Sequence, residues 1–287
     1  MLVLQRVLLI GSPGSGKTTL AKQLSQLFNL PLIHLDKLFW RGDWQQVSRE
    51  EFDAALQREL EKPRWLIDGN YLRTLDRRLD DCDTVIWLDL PTPICLWRVI
   101  KRFFQNRGRV REDMGGNCVE RWDKERLTFF RYVATFRRTH HKQMQERLRN
   151  HPDVGVIHLK SRRQVKGFLQ RKELAKSYLG KTVTLTVDRP VGYVHQKKNY
   201  TLTYPINYGF LPGVIGGDGE ELDVYLLGVE TPVEQYTAKV IGIVHRINDC
   251  EDKLVAAPKG LTFTREQIKN ALEFQEQYYQ IFIEIES

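Results

Sequence analysis

The sequence has few of the features that mark secreted or membrane proteins. Its four cysteines are widely spaced: Cys82, Cys95, Cys118 and Cys250. None belongs to a C-x-x-C pair and no signal peptide is evident, so we expect reduced thiols and a cytoplasmic location. The apolar first ten residues are interrupted by Gln5 and Arg6, and no uncharged apolar run approaches the ~20 residues that a membrane span needs. We therefore expect no membrane partner.

The chain also lacks internal repeats and low-complexity tracts, but its charge is uneven. Residues 1–180 contain 34 basic and 21 acidic residues, a net charge of +13, whereas residues 181–287 contain 10 and 15, a net charge of −5. A basic half suits a polyanion and an acidic half suits metal cations. Two ordinary solvated surfaces would give the same charges.

Short apolar runs alternate with helical patterns over the first 160 residues. The candidate strands are Val3–Ile10, Leu32–Leu35, Trp65–Ile67, Thr84–Leu88 and Val154–Leu159. Almost continuous apolar runs are typical of parallel strands that are covered on both faces. Capping patterns and helical periodicity place helices at 49–61, 93–106, 120–150 and 162–178. This alternation predicts an α/β fold with a parallel sheet.

The pattern changes near Gly180, where glycine, proline and asparagine become frequent. Strands are predicted at Thr182–Val187, Val224–Val229 and Ala238–His245, and a final helix is predicted to begin at Thr264. We therefore predict two domains. The first, at 1–179, is the α/β domain, and the second, at 180–287, is smaller and mostly β.

A glycine-rich segment at residues 11–18, GSPGSGKT, matches the phosphate-binding pattern G-x-x-x-x-G-K-[ST] between a strand and a helix. The glycines allow backbone amides to surround a phosphate, and the helix N-terminus attracts negative charge. Lys17 would contact the β- and γ-phosphates of ATP, and Thr18 would bind magnesium. The predicted nucleotide-binding residues are Gly11, Ser12, Pro13, Gly14, Ser15, Gly16, Lys17, Thr18 and Thr19.

Two carboxylates follow neighbouring strands at the same edge of the predicted sheet. Asp36 closes the second strand and Asp68 closes the third. Parallel strands end on the side of the phosphate loop, so both side chains should face the phosphates. One could hold magnesium through water, and the other could orient or deprotonate an acceptor hydroxyl. The alternative is that each aspartate only ends a strand or caps a helix.

Arginines follow the fourth strand at Arg98, Arg102, Arg107, Arg109 and Arg111. They are typical of a lid that stabilises the charge of a transferred phosphoryl group and excludes water. We assign catalytic roles to Arg107 and Arg111, with a solvated basic loop as the alternative. A second, weaker pair of candidates follows on the next helix, at Arg137 and Arg138.

Several segments of residues 1 to 175 resemble the topology modulation (FlaR-like) P-loop proteins, relatives of adenylate kinase and shikimate kinase. The resemblance rests on GSPGSGK, HLDKLFW, WLIDGNY and the R-G-x-x-R-x-D segment that ends at Asp113. It implies a kinase-like fold over the first domain. The phosphoryl acceptor, a small molecule or a nucleotide, stays open.

The second half contains two acidic turns. One, DGEELD, places three carboxylates within six residues around a glycine, where they could converge on a hard cation. The other, NDCEDK, ends in Lys253. The alternative interpretation is two solvated acidic turns. The candidate metal ligands in these turns are Asp218, Glu220, Asp223, Asp249 and Glu251.

These turns, together with YPINYGF and EDKLVAAP, resemble family I soluble inorganic pyrophosphatases over residues 182–262. The resemblance implies a small OB-type β-barrel, a catalytic Asp223, and Mg²⁺-assisted hydrolysis of pyrophosphate. It also implies pyrophosphate-binding roles for Tyr204, Tyr208 and Lys253. An arginine that the family carries before YPxNYG has no clear counterpart.

The leading hypothesis is a bifunctional enzyme, an ATP-dependent kinase joined to a pyrophosphatase-like phosphohydrolase. The alternative keeps nucleotide binding and makes the second domain a non-catalytic metal- or phosphate-binding or dimerisation module. A third hypothesis, nucleic-acid binding, rests on the basic first half and has no recognition motif behind it. The sequence leaves open whether the chain forms a homo-oligomer.

Overall fold

The computed structural model describes residues 4–108, 118–119, 122–197, 200–247, 249 and 251–286. The chain divides into two compact units, with the division between Val165 and Lys166. Within the described residues, no helix combines the length and the apolar character that a bilayer span requires.

The first unit is built on a parallel five-stranded sheet with the order β2-β3-β1-β4-β5. Its strands are β1 (Arg6–Gly11), β2 (Leu32–His34), β3 (Trp65–Asp68), β4 (Thr84–Leu88) and β5 (Gly155–Leu159). All residues of β3 and β4 are buried, as their continuous apolar sequences predict. Because β1 lies between β3 and β4, the loops after these three strands share one edge of the sheet.

Helices connect the strands of this sheet. They are α1 (Lys17–Phe28), α2 (Leu35–Phe39), α3 (Arg49–Leu60), α4 (Leu75–Asp81), α5 (Thr92–Asn106) and α6 (Lys124–Arg149). The hydroxyl of Ser48 accepts a hydrogen bond from the Glu51 amide and caps α3, as the sequence pattern predicted. Phe52 of α3 packs with Trp65 of β3 in a core cluster. The short helices α2 and α4 were not predicted.

The second unit contains a closed five-stranded barrel, β12-β10-β9-β6-β11, in which β12 pairs again with β11. The strand β13 adds to β11, and β7 and β8 form a separate hairpin. The strands are β6 (Thr182–Arg189), β7 (Val194–Lys197), β8 (Tyr200–Thr203), β9 (Asn207–Ile215), β10 (Glu221–Leu226), β11 (Gln235–Arg246), β12 (Asp252–Ala257) and β13 (Ile281–Ile285). Closure satisfies the edges of the five barrel strands. The predicted fold class, an α/β P-loop unit followed by a mostly β barrel, is confirmed.

Two helices accompany the barrel. They are α7 (Arg162–Tyr178) and α8 (Arg265–Glu276). Thr264 and Gln267 form the predicted capping box at the start of α8. A glycine in β9 is required by the barrel's close strand crossing, because a Cβ at Gly209 would lie 1.8 Å from the carbonyl oxygen of Thr186.

Helix α7 packs with the barrel. Ala175 belongs to a core cluster that also contains Leu185 of β6. Lys172 Nζ lies 2.6 Å from Asp252 Oδ1, and both side chains are 2% exposed. The boundary predicted at 179/180 places α7 in the first domain. The sequence alone does not show which element the apolar face of α7 covers. Where the two domains separate as folding units remains a prediction.

Candidate functional site

The glycine-rich loop joins the end of β1 to the start of α1. Gly11, Gly14 and Gly16 have φ angles of 142°, 81° and 103°, a region that favours glycine. A Cβ at Gly14 would lie 2.3 Å from the carbonyl oxygen of Cys95 on α5, so no larger residue fits there. The Ser15 amide donates to the carbonyl oxygen of Ser12 at 3.1 Å and closes the turn. The loop is thus shaped by its glycines as predicted.

Lys17 is half-buried at the start of α1. Its Nζ donates to the carbonyl oxygens of Gly11 at 2.9 Å and Ser12 at 3.1 Å. Burial lowers the pKa of Lys17, although the nearby carboxylates of Asp68 and Asp36 oppose this shift. The structure therefore brings the predicted lysine and both predicted aspartates within electrostatic range of one another.

Thr18, which the motif predicts to bind magnesium, is hydrogen-bonded to the buried carboxylate of Asp68. Thr18 Oγ1 donates to Asp68 Oδ2 at 2.7 Å, and His34 Nδ1 lies 3.2 Å from the same oxygen. Mg²⁺ is bound through one or two protein oxygens together with phosphates and waters. Ser15 Oγ is buried and has no hydrogen-bond partner in the described part of the chain. This donor set fits a magnesium–nucleotide.

Asp36 lies in the first turn of α2, not at the end of β2 as predicted. The chain enters a helix directly after His34, where a carboxylate in the first turn is favourable. Asp36 Oδ1 accepts a hydrogen bond from the hydroxyl of Tyr71 at 2.7 Å. Burial and the Asp36 charge raise the pKa of Tyr71, which keeps this hydroxyl protonated. The charge of Asp36 still acts on Lys17, and its catalytic role stays a prediction.

Sequence reasoning missed the side chains that support the loop. Asn70 Oδ1 accepts from the Gly11 amide at 2.9 Å, and Asn70 Nδ2 donates to the Gly11 carbonyl at 2.7 Å. The buried Arg78 donates from Nη1 to Gly69 at 3.0 Å and from Nη2 to Tyr71 at 3.0 Å. In the WLIDGNY segment only Asp68 was assigned a role, and the Asn-Tyr pair that follows it was the available signal.

The predicted lid arginines have different environments. Arg98 Nη1 donates to the carbonyl oxygen of Ser15 at 2.9 Å, and the charge of Arg102 contributes to the lowered pKa of Lys17. Arg107 is exposed just beyond α5. Arg109 and Arg111 lie outside the described residues. The weaker candidates on α6 are Arg137, which lies 3.3 Å from Asp89, and Arg138, which is exposed.

In the second unit, three predicted residues meet in the barrel. The hydroxyl of Tyr208 bonds to Asp223 Oδ2 and to Lys253 Nζ. Lys253 Nζ also lies 2.6 Å from Asp223 Oδ2 and 3.2 Å from Glu251 Oε1. Lys253 is almost fully buried. The structure therefore brings together three side chains to which the resemblance assigned roles, and those roles stay predictions.

Arg189, at the end of β6, is a cation to which the sequence assigned no role. Its Nη1 donates to the hydroxyl of Tyr204 at 2.9 Å. Its guanidinium also lies 5.0 Å from the ring centre of Tyr208. Pairing of β6 with β9 sets Arg189 opposite Tyr208, and this pairing is not visible in a single sequence.

The structure does not assemble the predicted metal site. Asp218 and Glu220 are exposed in the turn between β9 and β10, where Asp218 Oδ1 accepts from the Glu220 amide at 3.0 Å. Asp249 and Glu251 contact Arg246 instead, at 3.0 Å and 2.6 Å. Among the described residues, no three His, Cys, Asp or Glu side chains are grouped to hold a metal ion. The residues present do not fit a site for several magnesium ions.

Asp223 and Glu251 share a hydrogen bond. Burial and the hydrogen bond with Asp223 raise the pKa of Glu251 to about 8. Burial acts against ionisation of Asp223 too, but the bond from Glu251 and the charge of Lys253 hold the pKa of Asp223 below its ordinary value. Burial, their shared hydrogen bond and the charge of Lys253 therefore act on both carboxyl groups together.

Comparisons with known proteins agree with this division of the chain. Residues 173–284 match the family model "Inorganic pyrophosphatase", and residues 7–89 match "ATPase family associated with various cellular activities (AAA)". The inorganic pyrophosphatase of Neisseria meningitidis serogroup B is 36% identical over 90 residues, which are 26% of this chain and 50% of that protein. This chain thus spans about half the length of that curated relative.

Two solved structures are similar to parts of this chain. The inorganic pyrophosphatase from Ehrlichia chaffeensis is 19% identical, with 37% of this chain and 87% of that chain covered and a TM-score of 0.29. Shikimate kinase from Acinetobacter baumannii in complex with shikimate is 14% identical, with 59% and 90% covered and a TM-score of 0.38. The family models thus match the first unit to AAA ATPases and the second to inorganic pyrophosphatases.

Proposed function

We propose that this chain is an ATP-dependent phosphotransferase joined to a unit that binds and hydrolyses pyrophosphate. The convergence of Lys17, the Thr18–Asp68 pair and Asp36 beside the glycine-rich loop supports the first activity. The acceptor is a small molecule or a nucleotide that offers a hydroxyl or phosphate oxygen.

In the first unit, the loop amides and Lys17 bind the phosphate chain of ATP. Thr18 and Asp68 would hold Mg²⁺, which neutralises charge on the β- and γ-phosphates. Asp36, held by Tyr71, orients the acceptor and takes its proton. Arg107 and Arg111 remain candidates for the closing charges, and Arg98 braces the loop from α5.

ATP turnover in the full chain tests this proposal. Lys17→Ala should reduce turnover by about 10²–10³-fold, because it removes a cation from the developing phosphoryl charge. Lys22→Ala is the matched control, since this lysine is exposed on the same helix. Equal turnover in Lys17→Ala and the wild type would exclude a kinase function.

In the second unit, Lys253 and Arg189 supply positive charge. A hydrogen bond with Tyr208 orients Lys253, and one with Tyr204 orients Arg189. A water attacks one phosphorus of pyrophosphate, Asp223 takes its proton, and the bond to the bridging oxygen breaks. The Tyr208–Asp223–Lys253 group and the family match support this second activity.

Phosphate release from pyrophosphate tests the second activity. Lys253→Ala should abolish most release, whereas Lys259→Ala, on an exposed lysine of the same unit, should not. Pyrophosphate binding without release in the wild type would favour the non-catalytic alternative. Absence of both binding and release would refute the proposed role of this unit.

A further inference from the structure

Arg246, the last residue of β11, is a buried cation among carboxylates. Its Nη1 lies 2.6 Å from Glu251 and 3.0 Å from Asp249. Its Nε and Nη2 lie 2.9 Å and 2.7 Å from the two oxygens of Glu276. Its guanidinium also lies 3.6 Å from the ring centre of Tyr279. One side chain therefore links three carboxylates from different parts of the unit.

Lys253 is a second buried cation in the same group. It contacts Asp223 and Glu251, so Glu251 is shared between Lys253 and Arg246. Two internal cations thus face four carboxylates, and some negative charge remains. The remaining negative charge can attract cations from solution. The carboxylate oxygens that contact Arg246 are already paired with its guanidinium.

A guanidinium and a magnesium ion make different demands on carboxylates. Magnesium requires near-octahedral oxygens at about 2.0–2.1 Å. A guanidinium satisfies carboxylates through planar N–H donors and stays charged at all physiological pH values. Asp249 and Glu251 both point an oxygen at the same Nη1. An ion that entered between them would have to expel a buried arginine from its partners.

We propose that Arg246 takes the place of one divalent cation in the second unit. The second unit therefore binds its phosphate ligand with at least one metal ion fewer than its carboxylates would bind if Arg246 were absent. The identity of the ligand rests on the proposed pyrophosphate function, but the number of bound ions does not, so the two ideas can fail separately.

The test counts bound Mn²⁺ on the full chain without nucleotide or pyrophosphate, from the loss of the free-ion EPR signal. Arg246→Met should bind one more Mn²⁺ per chain than the wild type. Arg246→Met/Glu276→Gln should do the same while avoiding an orphaned buried carboxylate. Arg265→Met is the matched control, because Arg265 contacts the main-chain oxygen of Ile283. Ions bound by the first unit contribute equally to the count in the wild type and in every variant, so they do not change the difference between them.

The added ion should also raise the melting temperature of the second unit in both Arg246 variants and leave the wild type and the Arg265 variant unchanged. Equal ion counts in the wild type and the folded variants would overturn the proposal. Glu251→Gln supplies an independent check in case the Arg246 variants do not fold. A wild-type count that drops by one in this variant would show an ion already bound there and would also overturn the proposal.

Discussion

The proposed phosphate sites of the two units are built in different ways. The first is formed mainly by the main chain, and Lys17 Nζ donates to the carbonyl oxygens of Gly11 and Ser12. In the second, side chains form the centre, and Lys253 and Arg246 already hold carboxylates of the chain itself. The cation of the first site donates to main-chain oxygens, whereas the cations of the second are paired with carboxylates.

This difference shows that net charge is a poor guide to the ligand of a unit. The acidic second half suggested metal ions, yet two buried cations face its acidic turns. The basic first half suggested a polyanion, yet its phosphate loop depends more on glycines and amides than on its arginines. What matters is which charges are already paired inside the fold.

The largest expected effect concerns the internal pair of α7 and the barrel. Lys172→Met should destabilise the second unit by about 3–5 kcal/mol, because it leaves Asp252 buried without its lysine. All six tryptophans precede residue 180, so tryptophan fluorescence follows the first unit, and far-UV circular dichroism during urea unfolding also follows the second.

Lys176→Met is the control for this substitution on the same helix. Its partner Glu284 and Lys176 itself are partly exposed, so the loss should be about 0–1 kcal/mol. A similar loss in both variants would remove the distinction between buried and surface pairs in this unit.

Low pH should reduce the difference in stability between the wild type and Lys172→Met. Despite burial, Lys172 and His245 hold the pKa of Asp252 well below its ordinary value. A depressed carboxyl pKa contributes stability that is present above about pH 4 and is lost as the pH falls towards the folded-state pKa. The gap between the wild type and Lys172→Met in urea unfolding should therefore shrink below about pH 4. A gap that stays constant down to pH 2 would contradict this assignment.

A smaller effect is expected at the centre of the second site. Tyr208→Phe removes a hydroxyl that bonds to Asp223 and Lys253, and hydrogen bonds to charged groups contribute about 1.5–3 kcal/mol. The second unit should lose stability by about this amount in urea unfolding followed by circular dichroism. Tyr193→Phe, on an exposed tyrosine, should be neutral. Equal stability of both variants would mean that the hydroxyl is not part of the internal network.

The smallest effect should have the opposite sign. Burial lowers the pKa of Lys17, so its charge is held in an unfavourable place without a ligand. Lys17→Met should leave the ligand-free first unit as stable as the wild type or stabilise it by up to about 1 kcal/mol, measured by tryptophan fluorescence. Saturating magnesium–ATP should then stabilise the wild type alone, by about 2.7 kcal/mol at 100 times its Kd. A large destabilisation in Lys17→Met would show that this lysine is structural.

Local signals in the sequence were enough for much of the fold. Continuous apolar runs located β3 and β4, and capping patterns located α3 and α8, because these signals act within a few residues. The helices α2 and α4 are only five and seven residues long, too short for a periodic pattern to be visible. Their formation depends on the sheet beneath them.

The sites divide in the same way. The phosphate loop is one contiguous motif, so Lys17 and Thr18 could be assigned directly. The position of Arg246 beside Asp249 and Glu251 depends on the pairing of β11 with β12, and that of Arg189 depends on β6 and β9. A list of acidic residues cannot show which cation from another strand reaches them.

The contact between α5 and the glycine-rich loop gives this helix a mechanical role. The carbonyl oxygen of Cys95 lies so close to Gly14 that no side chain fits between them, and Arg98 holds Ser15 from the same helix. A 15-residue helix is a rigid rod of about 22 Å. The far end of this rod is followed by Arg107, so α5 connects the glycine-rich loop with the first residue of the predicted lid.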